Sequence, residues 1–293
     1  MQEIGSVMVS TVFAVKPDDH SLWEHDSEQQ WHQISAAPTG EIIGGYWGLV
    51  STNRDTGDLW SWHGDENAWL RMSGPSGGVA VTARAVYSVQ PEDRTVYGTR
   101  GADAGNGETS WNQVATDPTG QIYGGGYDDV DLLVSTNPFS GELFLYQGTP
   151  GDWKNDWKRI SGPSGGVAIT ANTIYSLTTD RSSLYSYDVR QDSWTRIAGP
   201  TGQIYGGEWG LVSTNPQTGD LFRYRGNRDD WEMIGEGIGG PGNSFAVERS
   251  LYRSCTNPGP DSGVYKYDES DKSWTKIGPV AESITTAYWE HIS

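Results

Sequence analysis

One tryptophan recurs along the whole chain. It opens the phrases WHQIS, WLRMS, WNQVA, WKRIS, WTRIA, WEMIG and WTKIG at Trp31, Trp69, Trp111, Trp157, Trp194, Trp231 and Trp274. The spacings between them are 38, 42, 46, 37, 37 and 43 residues. A unit of this length is too small to bury its apolar surface alone, so it must stack on its neighbours, and about forty residues is the period of a propeller blade. Within one period the strand signals come in fours. Over residues 203–238 the runs QIYGG, GLVSTN, DLFRYRG and WEMIG are short, rich in β-branched and aromatic residues, and separated by glycine or by the turn NPQTGD. Four such strands make one antiparallel sheet, and closing a ring of sheets removes the exposed edges that would otherwise aggregate.

A second periodicity overlies the first. The phrase EIIGGYWGLVSTNRDTGDLW at residues 41–60 returns as QIYGGGYDDVDLLVSTNPFSGELF from Gln121 and as QIYGGEWGLVSTNPQTGDLF at residues 203–222. Between these copies lies a different text, GGVAVTARAVYSV from Gly77 and GGVAITANTIYSL from Gly165, with SFAVERSLYRSC from Ser244 as a looser member. The expectation is an all-β chain: a seven-bladed β-propeller of four-stranded antiparallel blades, one domain over residues 1–293, built from seven repeats of about 37–45 residues in two alternating types. The ends MQEIG and AESITTAYWEHIS resemble parts of the repeat, so they are expected to pair and seal the ring, with an eighth, incomplete blade as the alternative.

Composition narrows the partners. A formal charge of −18 repels phosphate backbones and anionic lipid heads, which argues against nucleic acid. The longest apolar runs are four or five residues, too short for membrane insertion as a helix, and residues 1–15 lack a secretory signal pattern. The localisation expected is cytoplasmic, or secreted without a visible signal. The 14 tryptophans and 15 tyrosines against 5 phenylalanines supply aromatic surface with polar handles. The single Cys255 excludes an internal disulfide and a multi-cysteine zinc site, and it reads as a small buried residue.

The unit WTRIAGPTGQIYGGEWGLVSTNPQTGDLFRYRGNRDDW resembles the tectonin repeat of the tachylectin-like propeller lectins, over all seven copies. The shared features are a Trp, two residues, an Ile, a glycine-rich joint, a Gly before an apolar strand, and an apolar-aromatic pair with a basic residue before the next Trp. This chain departs from the pattern in its middle strand, where GLVSTN or AVYSV replaces the usual tryptophan. The resemblance implies a multivalent carbohydrate-binding protein; the acidic charge points to neutral glycans, and no catalysis, cofactor or metal is expected. A protein-interaction scaffold and a propeller glycosidase or lyase are the alternatives.

Sugar recognition needs a flat aromatic face and a few fixed hydrogen-bonding groups in a rigid frame. The seven-fold tryptophans are expected to pack between blades, since every blade requires one. The aromatics confined to one repeat type are the candidate sugar contacts: Tyr46 and Trp47, Trp209 beside Glu208, and Tyr288 with Trp289 at the corresponding place near the end of the chain. Asn53 and Asn215, closing the strand that follows, are candidate amide contacts, with turn capping as their commoner role. Asp128, Asp129 and Asp131 stand in one loop and could ligate calcium, although a solvated acidic loop is the simpler reading. The five histidines follow no repeat and no metal-ligand spacing, and no pair of carboxylates stands out as a catalytic acid and base.

Overall fold

A computed structural model describes residues 7–26, 29–64, 68–101 and 109–291. Among these, 28 strands form seven four-stranded antiparallel sheets, the blades of a β-propeller. Blades 2 to 7 each run from the axis outward in chain order and begin at Thr39, Val79, Ile122, Gly166, Ile204 and Asn243. Blade 1 is composite. Its inner strand, Ser283–His291, comes from the far end of the chain and pairs antiparallel with Val7–Val15, from Val7 opposite His291 to Val15 opposite Ser283. The two ends seal the ring as the sequence suggested, within blade 1 of a ring of seven rather than as an eighth blade.

The W-x-x-apolar phrase has a geometric reason. In all seven blades the third and outer strands change register at the same place. In blade 1, Trp23 faces Gln33 and Leu22 faces Ser35, so Ile34 is the extra residue of a β-bulge. A bulged residue is left out of the ladder, and its carbonyl needs another donor. The tryptophan of the next blade supplies it. Trp69 Nε1 donates to the Ile34 carbonyl at 2.9 Å, and Trp31, Trp111, Trp157, Trp194 and Trp274 donate to Ile277, Met72, Val114, Ile160 and Ile234 at 2.6–2.9 Å. The recurring tryptophan is thus a clamp between blades.

The alternation of repeat types is decided at the axis. Three inner strands carry a glycine pair, Gly44–Gly45, Gly124–Gly125 and Gly206–Gly207, whereas the strands beside them carry Val79–Ala80–Val81, Val167–Ala168–Ile169, Phe245–Ala246–Val247 and Ile284–Thr285–Thr286. A Cβ on Gly44 would collide with the Thr286 backbone, on Gly124 with Val81, and on Gly207 with Val247. Flat strands therefore wedge between bulky ones. Seven is odd, so one junction must join two strands of the bulky type, and this is the junction of blade 7 with blade 1, the blade that the two chain ends build together.

Candidate functional site

The inner strands leave an axial cavity of about 190 Å³ at the end where each hands over to its second strand. Tyr46, Glu208 and Glu248 line it together with Thr170, Thr285 and the glycine backbones. Beside them three tyrosines gather from three blades. The ring of Tyr46 lies 4.7 Å from that of Tyr127 and 4.7 Å from that of Tyr288, and Tyr127 and Tyr288 are 6.0 Å apart. The Arg249 guanidinium sits 4.8 Å from the Tyr288 ring, donates to the Tyr127 hydroxyl at 2.9 Å, and donates from Nε to Glu208 Oε2 at 3.1 Å. The Tyr288 hydroxyl is buried with no partner among the described residues.

Glu248 completes the cluster. Burial, helped by the nearby Glu208 carboxylate, pushes its carboxyl up to about 8, so it is protonated at neutral pH. The Glu208 amide approaches its Oε2 at 3.4 Å. Burial also raises the Tyr46 hydroxyl, with Tyr127 and Asp128 adding to the effect. The mouth therefore combines aromatic surface, one ion pair and one neutral carboxyl, a donor and acceptor set for hydroxyl groups.

Of the residues singled out from the sequence, Tyr46, Glu208 and Tyr288 meet here. Trp47 and Trp209 do not. Each turns from the axis into the gap beyond its own blade. The Trp47 amide donates to the Thr82 carbonyl and its indole to the Arg100 carbonyl, both at 3.2 Å. The Trp209 amide donates to the Glu248 carbonyl and its indole to the Glu269 carboxylate, while Arg223 stacks on the ring at 3.8 Å. These two tryptophans are equivalent to each other, and both are held by the neighbouring blade. Asn53 and Asn215 act as turn caps: Asn53 Oδ1 accepts from the amides of Asp55 and Thr56, and Asn215 Oδ1 from those of Gln217 and Thr218. The backbone of Trp289 pairs with Val9 in blade 1, and its side chain lies outside what the structure describes.

The acidic loop of blade 4 divides. Asp131 turns to blade 3, where it accepts from the Arg84 amide at 3.0 Å and from the Tyr87 hydroxyl at 3.4 Å, and burial raises its pKa. Among the described residues no cluster of three His, Cys, Asp or Glu side chains suits a metal ion. The inserted segment of the same blade brings Trp153 onto Tyr87, 6.3 Å between rings, over the bare Gly98 of blade 3.

Sequence reasoning missed Tyr127, Glu248 and Arg249. Tyr127 stood beside the acidic loop, which was read as solvated, with calcium as the alternative. The signal for the other two was a break in the repeat, since VERS at residues 247–250 replaces VTAR at 81–84 and ITAN at 169–172.

No protein-family model matches the chain, and no curated protein matches it in sequence. Solved structures do match in shape. A protein from Bacteroides uniformis, described as a candidate 6-phosphogluconolactonase, superposes with a TM-score of 0.60 at 11% identity over 95% of this chain and 99% of its own. A protein from Lactobacillus plantarum gives 0.59 at 14% identity over 97% and 100%, and AztD from Citrobacter koseri gives 0.55 at 10% identity over 98% and 100%. Likeness at such identities extends to the ring as a whole and carries the propeller fold, not its chemistry.

Proposed function

We propose that this propeller is a carbohydrate-binding protein, as its resemblance to the tectonin lectins implies, and that its principal site is the axial mouth. The observation that carries this reading is the meeting of Tyr46, Glu208 and Glu248 on one small cavity, with Tyr127, Arg249 and the buried Tyr288 packed beside it. Aromatic rings receive the C–H face of a sugar, and the charged and neutral polar groups bind its hydroxyls. The charge balance favours a neutral ligand: Arg249 is already paired with Glu208 at 3.1 Å, and Glu248 carries no charge at neutral pH. Little positive charge is left over for an anion. A glycan array followed by calorimetry with the best neutral monosaccharide tests the reading. Saturable binding that Tyr46→Ala weakens tenfold or more supports it, and the absence of binding to any neutral sugar overturns it.

One observation favours a second reading. A protonated Glu248 beside Glu208, which is ion-paired with Arg249, resembles the arrangement by which one carboxyl donates a proton while another accepts one. The Bacteroides uniformis neighbour is described as a candidate lactonase, so acid–base chemistry on a sugar-derived ligand is the alternative. Turnover of the bound sugar, lost in Glu248→Gln, would establish it in place of simple binding.

A further inference from the structure

The junction between blades 5 and 6 departs from the other blade junctions. The middle cross-strand row of blade 4 reads Val134, Leu145, Lys158, and Leu145 packs into blade 5 against Ile174 and Tyr187. In blade 5 the same row reads Tyr175, Ser186, Thr195, with Thr173, Asp188, Ser193 as the row beyond it. A small residue at the centre of this row leaves room that neighbouring groups must fill, as they do around the buried Ser61 of blade 2. Blade 3 has the same weakness at Gly98, where Trp153 of the blade 4 insertion covers it. At Ser186 the gap stays open, forming a groove of about 720 Å³ that runs from Val130 of blade 4 across the end of blade 5 to Arg228 of blade 6.

The clamp is altered at this junction as well. The Ile197 carbonyl, which by the rule of the other blades should accept from Trp231, accepts instead from the Asp229 amide at 2.9 Å. Trp231 Nε1 is left buried and without a partner among the described residues. The residue that displaces it, Asp229, has a φ of 58° in the left-handed region. It belongs to the loop that supplies Gly226, Asn227 and Arg228 to the lip of the groove. The tryptophan bond made at six other junctions has been given up where this loop stands.

We propose that this groove is a second binding site, for an extended segment of neutral polysaccharide; the choice of ligand rests on the carbohydrate-binding reading above. Its size falls within the ~300–1,000 Å³ of ordinary ligand pockets, larger than the axial cavity. Its floor carries Tyr175 and Tyr224, with ring centroids 6.2 Å apart. Its walls are hydroxyls and amides: Ser186, Ser193 and Thr195 on one strand face, and Asn172, Gln191 and Asn227 from the turns. Such groups hydrogen-bond sugar hydroxyls along a chain. Of the charged groups on the wall, Arg228 is paired with Asp229 at 3.3 Å, which leaves Asp188 and Arg190 to balance one another, and this again favours an uncharged ligand.

The test is calorimetric titration with cellohexaose, maltohexaose, xylohexaose and mannohexaose, using the whole chain and two variants. Ser186→Leu installs the residue that blade 4 carries in the same row, and Asn227→Ala with Arg228→Ala trims the exposed lip without touching the core. At least one hexasaccharide should bind once per chain, and each variant should weaken it tenfold or more while leaving monosaccharide binding at the axial mouth unchanged. Hexasaccharide affinity within twofold of the original in the lip variant would overturn the groove, as would failure of all four hexasaccharides while a monosaccharide still binds. Loss of hexasaccharide binding in Tyr46→Ala with retention in the groove variants would also overturn it, placing the chain at the axis. Failure of every sugar, large and small, would sink the underlying carbohydrate reading instead.

Discussion

Trp69 of blade 2 donates its indole N–H to the carbonyl of Ile34 in blade 1 at 2.9 Å, and Ile34 is the residue that a β-bulge has taken out of the ladder of its own blade. One blade makes the acceptor that the next blade fills. The sequence phrase, a tryptophan followed three residues later by an apolar residue, encodes both halves: the tryptophan reaches backward to the preceding blade, and the apolar residue offers its carbonyl forward.

Removing the indole N–H should therefore cost stability where the clamp exists and less where it does not. Trp69→Phe leaves a buried carbonyl unpaired, a loss on the order of 1–3 kcal/mol in addition to the lost packing. Trp231→Phe loses packing only, because its N–H has no partner among the described residues. Urea unfolding of the two variants should place Trp231→Phe nearer the original protein by about 1 kcal/mol or more.

The glycine pairs at the axis predict a sharp positional contrast. Gly207→Ala would drive a Cβ into the Val247 backbone and should prevent the ring from closing, seen as loss of soluble folded protein. Gly162, in the outer strand of blade 4, has open space where a Cβ would stand and no positive φ. Gly162→Ala should be neutral or stabilising by up to about 1 kcal/mol, by restricting the unfolded chain.

The raised carboxyls fix the sign of a pH dependence. Glu248 is lifted from 4.5 to about 8, and Glu24 to about 7, burial being the first cause of each. The folded protein then holds protons that the unfolded chain releases, so stability from these groups is full below about 4.5 and falls as pH rises toward their folded values. Thermal melts of Glu248→Gln should show a smaller decline between pH 4.5 and 8 than the original protein. An unchanged slope would mean that Glu248 is ionised in the fold.

Closure by the chain ends gives a fourth expectation. Glu282, just before the closing strand, is held by Arg54 Nη1 at 3.1 Å and His20 Nδ1 at 2.7 Å. These groups are partly exposed, so Glu282→Gln should cost no more than about 1 kcal/mol. Removing residues 283–293 takes away the whole inner strand of blade 1 and leaves Val7–Val15 as an open edge. Size-exclusion chromatography should find that chain aggregated or unfolded.

The fold was legible because its signals are local. A tryptophan every forty residues, four strand signals between, and turns such as NPQTGD with Asn215 as their cap can all be read along the chain. The glycines were read less well. Gly44–Gly45 and Gly206–Gly207 let flat strands pass between bulky ones, a requirement set by the axis and invisible within one repeat. The same limit hid the candidate site. Tyr46, Tyr127, Tyr288 and Arg249 are far apart in sequence and meet only once the ring closes, while Trp47 and Trp209, whose equivalence was visible, are equivalent because each reaches the next blade.

The proposal at stake is that the repeats are architecture and that a monosaccharide binds at one site, the axial mouth. The most direct measurement is the calorimetric stoichiometry of the best neutral monosaccharide on the original chain, on Tyr46→Ala and on the double variant Trp47→Ala, Trp209→Ala. One site per chain, weakened tenfold or more by Tyr46→Ala and kept in the double variant, is the predicted result. Two or more equivalent sites lost in the double variant, with Tyr46→Ala unaffected, would contradict it and return the sugar to the repeated tryptophans.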